Sequence, residues 1–179
     1  LSGKSVFTSE IKRAAIKALN HNFPGENIAS TDKTKVKKDE VPNFNVLLGG
    51  FPCQAFSSAG LGKGFADTRG TLFFDVQRIL SEHLESVDGF ILENVEGLVT
   101  HDRAKSDDKA GRTLTTIMHI LRKKLGFNAE YIVLNAANFG VPQYRKRVYI
   151  VGCKKKFGTI NLKFKNTKEV PVESCIEYG

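Results

Sequence analysis

The sequence has few cysteines and no long hydrophobic run, and these two deficits exclude several classes of protein. Its three cysteines, Cys53, Cys153 and Cys175, are far apart and form no Cys-x-x-Cys pair, so they predict neither a disulfide framework nor a zinc site. No stretch approaches the roughly 20 apolar residues that cross a bilayer, and Leu1 to Glu10 lacks the layout of a secretory signal. We therefore expect a soluble intracellular protein with at least one free thiol and no metal.

Acidic residues are outnumbered, and this balance of charge suits a polyanionic partner. The 27 lysines and arginines exceed the 19 aspartates and glutamates, which gives a formal net charge of +8. Basic side chains that neutralise phosphates release condensed counterions, and this release favours binding to nucleic acid. Part of the excess is a run from Lys154 to Lys168, which a solvated strand edge or tail explains more simply. Charge alone therefore permits a nucleic-acid partner without requiring one.

Apolar periodicity alternates between helix and strand, and it predicts a doubly wound α/β sheet with helices on both faces. The 179 residues, 41% of them hydrophobic, favour one domain with a single core. Gly49-Gly50 is predicted to begin a loop. Helices are predicted near 10–21, 71–84 and 113–125, and strands near 27–30, 44–48, 89–92, 131–134 and 148–152. The first helix is predicted from Ile11, Ala14, Ala15 and Leu19, which recur at three- and four-residue spacing.

Reactive side chains follow the ends of two predicted strands. Cys53 comes shortly after the strand near 44–48, and Glu93 ends the strand near 89–92. In open α/β sheets the active site forms at the carboxyl ends of the strands. A cysteine held by nearby glycines and by Pro52 could act as a nucleophile there. Taken alone, an ordinary buried cysteine and a turn-capping glutamate are the simpler interpretations.

Three ordered motifs reverse those interpretations. Gly50-Phe51-Pro52-Cys53-Gln54, Glu93-Asn94-Val95 and Gln143-Tyr144-Arg145-Lys146-Arg147 resemble, in order and spacing, signature motifs of DNA (cytosine-5)-methyltransferases. Weaker similarity extends the resemblance from about Val6 to Gly152. The resemblance implies a Rossmann-like methyltransferase fold that uses S-adenosyl-L-methionine. It also implies that residues 1–179 are a partial catalytic core of one domain.

The resemblance implies a covalent mechanism on cytosine in double-stranded DNA. The Cys53 thiolate would add to carbon-6 of the ring, which makes carbon-5 able to attack the sulfonium methyl group. Glu93 would hold the ring N3 and the exocyclic amine. Arg145 and Arg147 alternate along the chain and would line the base pocket, although alone they would pass for a surface basic run. Because the target is stacked inside the duplex, the base would have to be flipped out.

The same resemblance implies residues for the cofactor and for the nucleic acid. Glu10 matches the acidic residue that binds ribose hydroxyls, and Asp32 matches the one near the adenine amine. Outside the resemblance, Glu10 is equally a first-turn helix carboxylate and Asp32 equally a turn residue. Pro52 and Leu72 match the wall around the cofactor. The residues expected to contact nucleic acid are Gln54, Ser57, Lys63 and Arg69.

Parts of the family pattern are not found in this sequence. The family's Phe-x-Gly-x-Gly cofactor loop has no match in Leu1 to Phe7, and we expect the target-recognition region to lie elsewhere. A fragment or engineered core, a chain with omitted disordered segments, and a natural split with a complementing polypeptide remain open. Methylation of tRNA by the same fold and a non-catalytic nucleic-acid-binding remnant are the alternative functions. A bacterial, cytoplasmic, nucleoid-associated enzyme of a restriction-modification system is the leading expectation.

Overall fold

Two sheets organise the part of the chain that the structure describes. The structure is a computed structural model, and it describes residues 3–29, 32, 34–51, 71–105, 108–167 and 170–175. The smaller sheet pairs β1 (Thr8–Ser9) in parallel with β2 (Ile28–Ala29), and helix α1 (Arg13–Asn22) joins them. The larger sheet contains β3 (Val46–Gly50), β4 (Gly89–Val95), β5 (Phe127–Asn135) and β6 (Lys146–Lys154).

Within the described ranges, three further helices lie between the strands of the larger sheet. They are α2 (Thr71–Glu82), α3 (Gly97–Thr100) and α4 (Arg112–His119), and a π-helical turn over Ile120–Lys124 continues α4. Gly126 ends this segment with a φ of 76°, a left-handed conformation that glycine adopts without steric cost. Short 3₁₀ turns cover Lys38–Glu40, Ala136–Phe139, Lys155–Phe157 and Val172–Cys175.

The larger sheet is mixed, with the strand order β3-β4-β6-β5. Strand β3 runs parallel to β4, and β6 runs antiparallel to both β4 and β5. The connection from β5 to β6 is too short for a crossover helix, so these two strands pair as a hairpin. The predicted α/β class is confirmed, and the antiparallel β6 is the detail that the predicted βαβ pattern did not contain.

The two faces of this sheet differ in burial. Successive side chains of a strand point to opposite faces, and in β4 Phe90, Leu92 and Asn94 are buried while Ile91 and Val95 are exposed. We call the side of Phe90, Leu92 and Asn94 the covered face. The side of Ile91, Glu93 and Val95 is the open face, and the register places Leu48 and Arg147 there.

Helices α2 and α4 supply the core of the covered face. Each large apolar side chain that is fully buried there contributes about 1.5–3 kcal/mol relative to an exposed one. Phe90 lies over Gly152 on the neighbouring strand, where a Cβ atom would collide with its ring. The ring also packs edge-on against Phe127, with centroids 5.1 Å apart. The other fully buried core residues include Phe73, Leu80, Leu92, Leu98, Leu114, Ile117, Leu121, Val148 and Ile150.

Two local predictions are wrong. Gly49 and Gly50 begin no loop, because both belong to β3 and pair with Leu92 and Glu93. A Cβ atom at Gly49 would lie 3.6 Å from the Leu92 side chain, an ordinary van der Waals distance, so this position in the strand does not require glycine. The first helix starts at Arg13 rather than near residue 10 and has no buried residue, and Ile11 is 64% exposed.

The described residues also bear on membranes and metals. Within them, no helix combines the length and the apolar character that crossing a bilayer requires. The same residues contain no group of three or more His, Cys, Asp or Glu side chains that could hold a metal ion.

Candidate active site

An ion pair between two adjacent strands marks the open face. The Nε atom of Arg147 lies 2.8 Å from Oε1 of Glu93, with the arginine side chain 21% exposed and the glutamate side chain 40% exposed. Nη1 of Arg147 donates to the carbonyl of Lys146 at 2.7 Å. Two of the five guanidinium N–H groups are therefore committed, and the fork stays directed along the sheet. The structure thus brings together two residues that the sequence predicted for one site.

The carboxylate of Glu93 lies over the end of β3. Gly50 pairs with Glu93 across the strands, and a Cβ atom at Gly50 would lie 3.5 Å from Oε2 of Glu93. Glycine at this position thus places no side chain next to the carboxylate. Of the predicted site residues, Pro52, Cys53, Gln54, Ser57, Lys63 and Arg69 lie outside the described residues.

Arg145 is held by its backbone next to this pair. Its N–H donates to Oδ1 of Asn135 at 2.9 Å, and its carbonyl accepts from the N–H of Ala136 at 3.0 Å. The side chain of Arg145 is exposed, and it is Arg147 that contacts Glu93. The role of Arg145 in a base pocket stays a prediction.

Two buried asparagines near the site were missed as functional residues from the sequence. Asn94 donates to the carbonyl of Phe51 at 2.7 Å, and Asn135 accepts from Arg145 as described. Each side chain binds the backbone of a segment that is distant in sequence and that leads into a predicted catalytic motif. The signal was present, because Asn94 falls on the covered face in the alternation of β4, where a polar side chain needs a partner.

The two acidic residues predicted for the cofactor follow neighbouring strands. Glu10 comes directly after β1 and Asp32 shortly after β2, and the N–H of Glu10 donates to the carbonyl of Ala29 at 3.2 Å. Carboxyl ends of parallel strands share one edge, so both carboxylates belong to the same edge of the smaller sheet. Charged acceptors there fit the hydroxyl and amine donors of an adenosine group. Leu72 is partly buried and packs against the core of the larger sheet.

Both carboxylates are also used in local turns. Oε1 of Glu10 accepts the N–H groups of Ile11 and Lys12 at 2.8 Å each, and the bond from Lys12 does most to lower the pKa of Glu10. Oδ1 of Asp32 accepts the N–H of Thr34 at 3.0 Å. These bonds fix the direction of each side chain and keep Glu10 ionised, which suits hydroxyl donors.

Comparison with solved structures agrees with this architecture. A crystal structure of a Spodoptera frugiperda DNMT2 mutant superposes with a TM-score of 0.74 at 23% identity, covering 100% of this chain and 54% of that chain. A structure of the Entamoeba histolytica methyltransferase EhMeth superposes with a TM-score of 0.73 at 19% identity, over 97% of this chain and 52% of that chain. At such low identity, these similarities show the fold alone.

Sequence comparison identifies closer relatives and a family. Type II methyltransferase M.NlaIV of Neisseria lactamica is 51% identical over 176 residues, which are 98% of this chain and 40% of the relative. M.NgoBV of Neisseria gonorrhoeae is also 51% identical, over 97% of this chain and 40% of the relative. The chain thus spans about two-fifths of the length of these relatives. Residues 1–176 match the family described as C-5 cytosine-specific DNA methylase, and the predicted cofactor, S-adenosyl-L-methionine, agrees with that match. The chain therefore belongs to the C-5 cytosine-specific DNA methylase family.

Proposed function

We propose that the polypeptide carrying this chain transfers a methyl group from S-adenosyl-L-methionine to carbon-5 of cytosine in double-stranded DNA. The observation that carries the proposal is the Glu93–Arg147 pair, held at 2.8 Å on the open face beside the strand that leads to Cys53. The family description and the names of the two relatives support DNA rather than tRNA as the substrate. They also support a role in a restriction-modification system.

The short connection to the cysteine supports a shared site. Cys53 follows Gly50, the partner of Glu93, by three residues. A chain of three residues spans at most about 11 Å, so this short connection allows the thiol to reach a site at the same end of the sheet. Pro52 fixes one backbone dihedral angle immediately before the cysteine, which limits the directions that the segment can take.

The proposed chemistry divides methyl transfer into addition and elimination. The Cys53 thiolate forms a bond to carbon-6, and carbon-5 then attacks the methyl group while S-adenosylhomocysteine leaves. Loss of the proton on carbon-5 re-forms the double bond and expels the thiolate. When bound, S-adenosyl-L-methionine supplies an electrophilic methyl group. The base must first leave the duplex to reach the pair, which is only partly buried.

Glu93 and Arg147 divide the recognition of the base. A protonated or proton-sharing carboxyl group at Glu93 would hold the ring N3 and the exocyclic amine as electron density enters the ring. The N–H groups of Arg147 that are not bonded to Glu93 or Lys146 suit the cytosine carbonyl or a flanking phosphate. Arg145 would line the same pocket.

The remaining assignments complete the proposal. Glu10 and Asp32 would bind the adenosine part of the cofactor from the edge of the smaller sheet, and Pro52 and Leu72 would form its wall. Gln54, Ser57, Lys63 and Arg69 would contact the DNA. In a naturally split protein, a complementing polypeptide would carry the target-recognition region.

Covalent trapping on fluorinated DNA tests the function. With 5-fluorocytosine in the target, the fluorine replaces the proton that elimination must remove, so the cysteine stays attached. The complete polypeptide that carries this chain, given S-adenosyl-L-methionine, should form a denaturation-resistant adduct with such DNA. The variant Cys53→Ala should form none.

A second cysteine provides the matched control. Cys153 is partly buried in β6 and pairs with Gly89, at the opposite end of β4 from Glu93. The variant Cys153→Ala should therefore form adduct at the wild-type rate. An adduct that persists in Cys53→Ala would overturn the proposal.

A further inference from the structure

The side chain of Asn94 binds the last described residue before the proposed nucleophile. Asn94 is 4% exposed, and its Nδ2 donates to the carbonyl oxygen of Phe51 at 2.7 Å. The ladder between β3 and β4 ends one position earlier, at the pair of Gly50 and Glu93. The amide of Asn94 thus takes over the connection between the two strands where backbone pairing stops.

The orientation of this amide is fixed from its other side. Its Oδ1 accepts the N–H of Val95 at 2.8 Å, so the oxygen is occupied and the NH₂ group must face Phe51. A side chain of the same size without a donor would leave the Phe51 carbonyl unpaired in a buried position. The geometry therefore requires a donor at position 94, in addition to the right volume.

Phe51 is anchored at a second point by its ring. The ring is buried and packs against Phe73 of α2, with centroids 5.6 Å apart. The packed ring holds the side chain, and the bond to Asn94 fixes the rotation of the peptide plane that leads into Pro52. Ring packing alone leaves that rotation free, because it restrains no atom of the plane.

We propose that Asn94 is a positioning residue, which sets the direction in which the chain leaves β3 toward Cys53. The inference rests on the proposed function, in which Cys53 attacks the base that Glu93 holds. One strand then carries both elements of alignment, since Glu93 faces the base on the open face and Asn94 holds the nucleophile's segment from the covered face. Because Glu93 and Asn94 are adjacent on one strand, no other strand or helix is needed to fix their relative positions.

Two substitutions that keep the number of side-chain heavy atoms test the donor. Asn94→Leu removes both polar atoms, and Asn94→Asp replaces the donor with an oxygen that repels the Phe51 carbonyl when ionised. In the complete polypeptide, we expect both to slow adduct formation with 5-fluorocytosine DNA about 100-fold at pH 8, because misplacement of a reacting group by about 1 Å has that effect. Affinity for unmodified DNA should change less than about threefold, since the contacts of the Glu93–Arg147 pair are kept.

The pH dependence separates positioning from general damage. A protonated Asp at position 94 regains an O–H donor for Phe51, so the rate of Asn94→Asp relative to wild type should rise about tenfold or more between pH 8 and pH 5.5. Any effect of pH that the variant and wild type share cancels in this ratio. Asn94→Leu has no such donor, and its ratio should stay constant.

Leu92→Ala controls for loss of stability. Leu92 is fully buried on the same face of the same strand, two residues earlier, and it has no polar atom that could bind the Phe51 carbonyl or the base. This variant should unfold more easily and still form adduct at the wild-type rate per folded molecule. Circular dichroism establishes the folded fraction of each variant.

Hydrogen exchange supplies a readout that does not depend on the reaction. Amides in the peptide over residues 46–51 should exchange about tenfold faster in Asn94→Leu than in wild type, while those of β5 and β6 keep their rates. Unchanged exchange there, or an adduct rate within threefold of wild type in folded Asn94→Leu, or no recovery of Asn94→Asp at low pH, overturns the inference. Faster exchange in a protein whose wild type forms no Cys53-dependent adduct would instead refute the proposed function and leave the anchor established.

Discussion

The covered and open faces of the four-stranded sheet use the same strands for different purposes. On the covered face, Phe90 and Leu92 of β4 are buried against helices, and the one polar residue of that row, Asn94, has partners for its amide. On the open face, Ile91 and Val95 flank Glu93 and remain largely exposed. Because side chains alternate along a strand, the core residue Leu92 and the proposed site residue Glu93 are adjacent in sequence but lie on opposite faces.

The difference in burial predicts which substitutions should affect folding and which should affect function. A side chain on the covered face loses contacts with two layers when it is truncated, whereas one on the open face loses contacts with the strand surface only. Residues one position apart in sequence should therefore respond very differently. Three experiments test this contrast.

The largest effect is expected for Leu92 on the covered face. Leu92→Ala should lower the free energy of unfolding by about 2–5 kcal/mol, because the core cannot collapse fully into the cavity. Ile91→Ala, its neighbour on the open face, removes as many carbon atoms and should cost less than about 1.5 kcal/mol. Urea unfolding of the two variants measures the difference. Similar losses for both would show that the faces are equally packed.

A smaller effect is expected from a histidine buried beside the covered face. His83 is buried and stacks on Phe44 with ring centroids 5.1 Å apart, and within the described ranges neither ring nitrogen has a hydrogen-bond partner. Loss of hydration lowers the pKa of His83, and the charge of Lys38 lowers it further while Glu82 opposes the shift. The folded state therefore binds this proton less readily than the unfolded state.

The sign of the pH dependence follows from that order. The full stability is present above the unfolded pKa of about 6.5, and it falls as the pH drops below that value because protonation favours unfolding. His83→Phe should remove this part of the decline between pH 7.5 and pH 5. Chemical unfolding at several pH values measures the slopes, and identical slopes in variant and wild type would contradict the prediction.

The smallest effect is expected at the most exposed apolar residue of the open face. Leu48 is 73% exposed in β3. Leu48→Thr keeps a residue suited to strands and should change the free energy of unfolding by no more than about 0.5 kcal/mol. A loss above about 2 kcal/mol would mean that this face is covered in solution, and would reverse the comparison at that strand.

The sequence predicted the strands of the larger sheet well because each contains a run of apolar residues. The strands near 89–92, 131–134 and 148–152 are confirmed, each longer than predicted, since polar residues such as Glu93 and Lys146 continue to pair at the strand ends. A polar residue is a weak sign that a strand ends, because its backbone can still pair with a neighbouring strand.

The errors have physical causes at particular residues. Gly49-Gly50 carries the signal of a turn, but both glycines extend β3 because Leu92 and Glu93 of the neighbouring strand pair with them. Apolar spacing placed Ile11 inside the first helix, but the helix begins at Arg13 and Ile11 remains exposed, because spacing alone does not fix the residue at which a helix begins.

The sequence names candidate site residues, but it does not give their arrangement. The motifs named Glu93 and Arg147 together, but their contact depends on β6 running antiparallel beside β4, which no local pattern specifies. The roles of Asn94 and Asn135 depend on backbone atoms 43 and 10 residues away, which periodicity cannot identify.

Because the ring of Phe90 lies on Gly152, substitutions at these two positions depend on each other. Any side chain at 152 would occupy the space of the ring, so Gly152 can be replaced only if residue 90 becomes smaller first or at the same time. The order of substitutions is therefore constrained, because a variant changed first at Gly152 would not fold correctly. Among sequences that diverge from this one, size at position 90 and the absence of a side chain at position 152 should be inherited together.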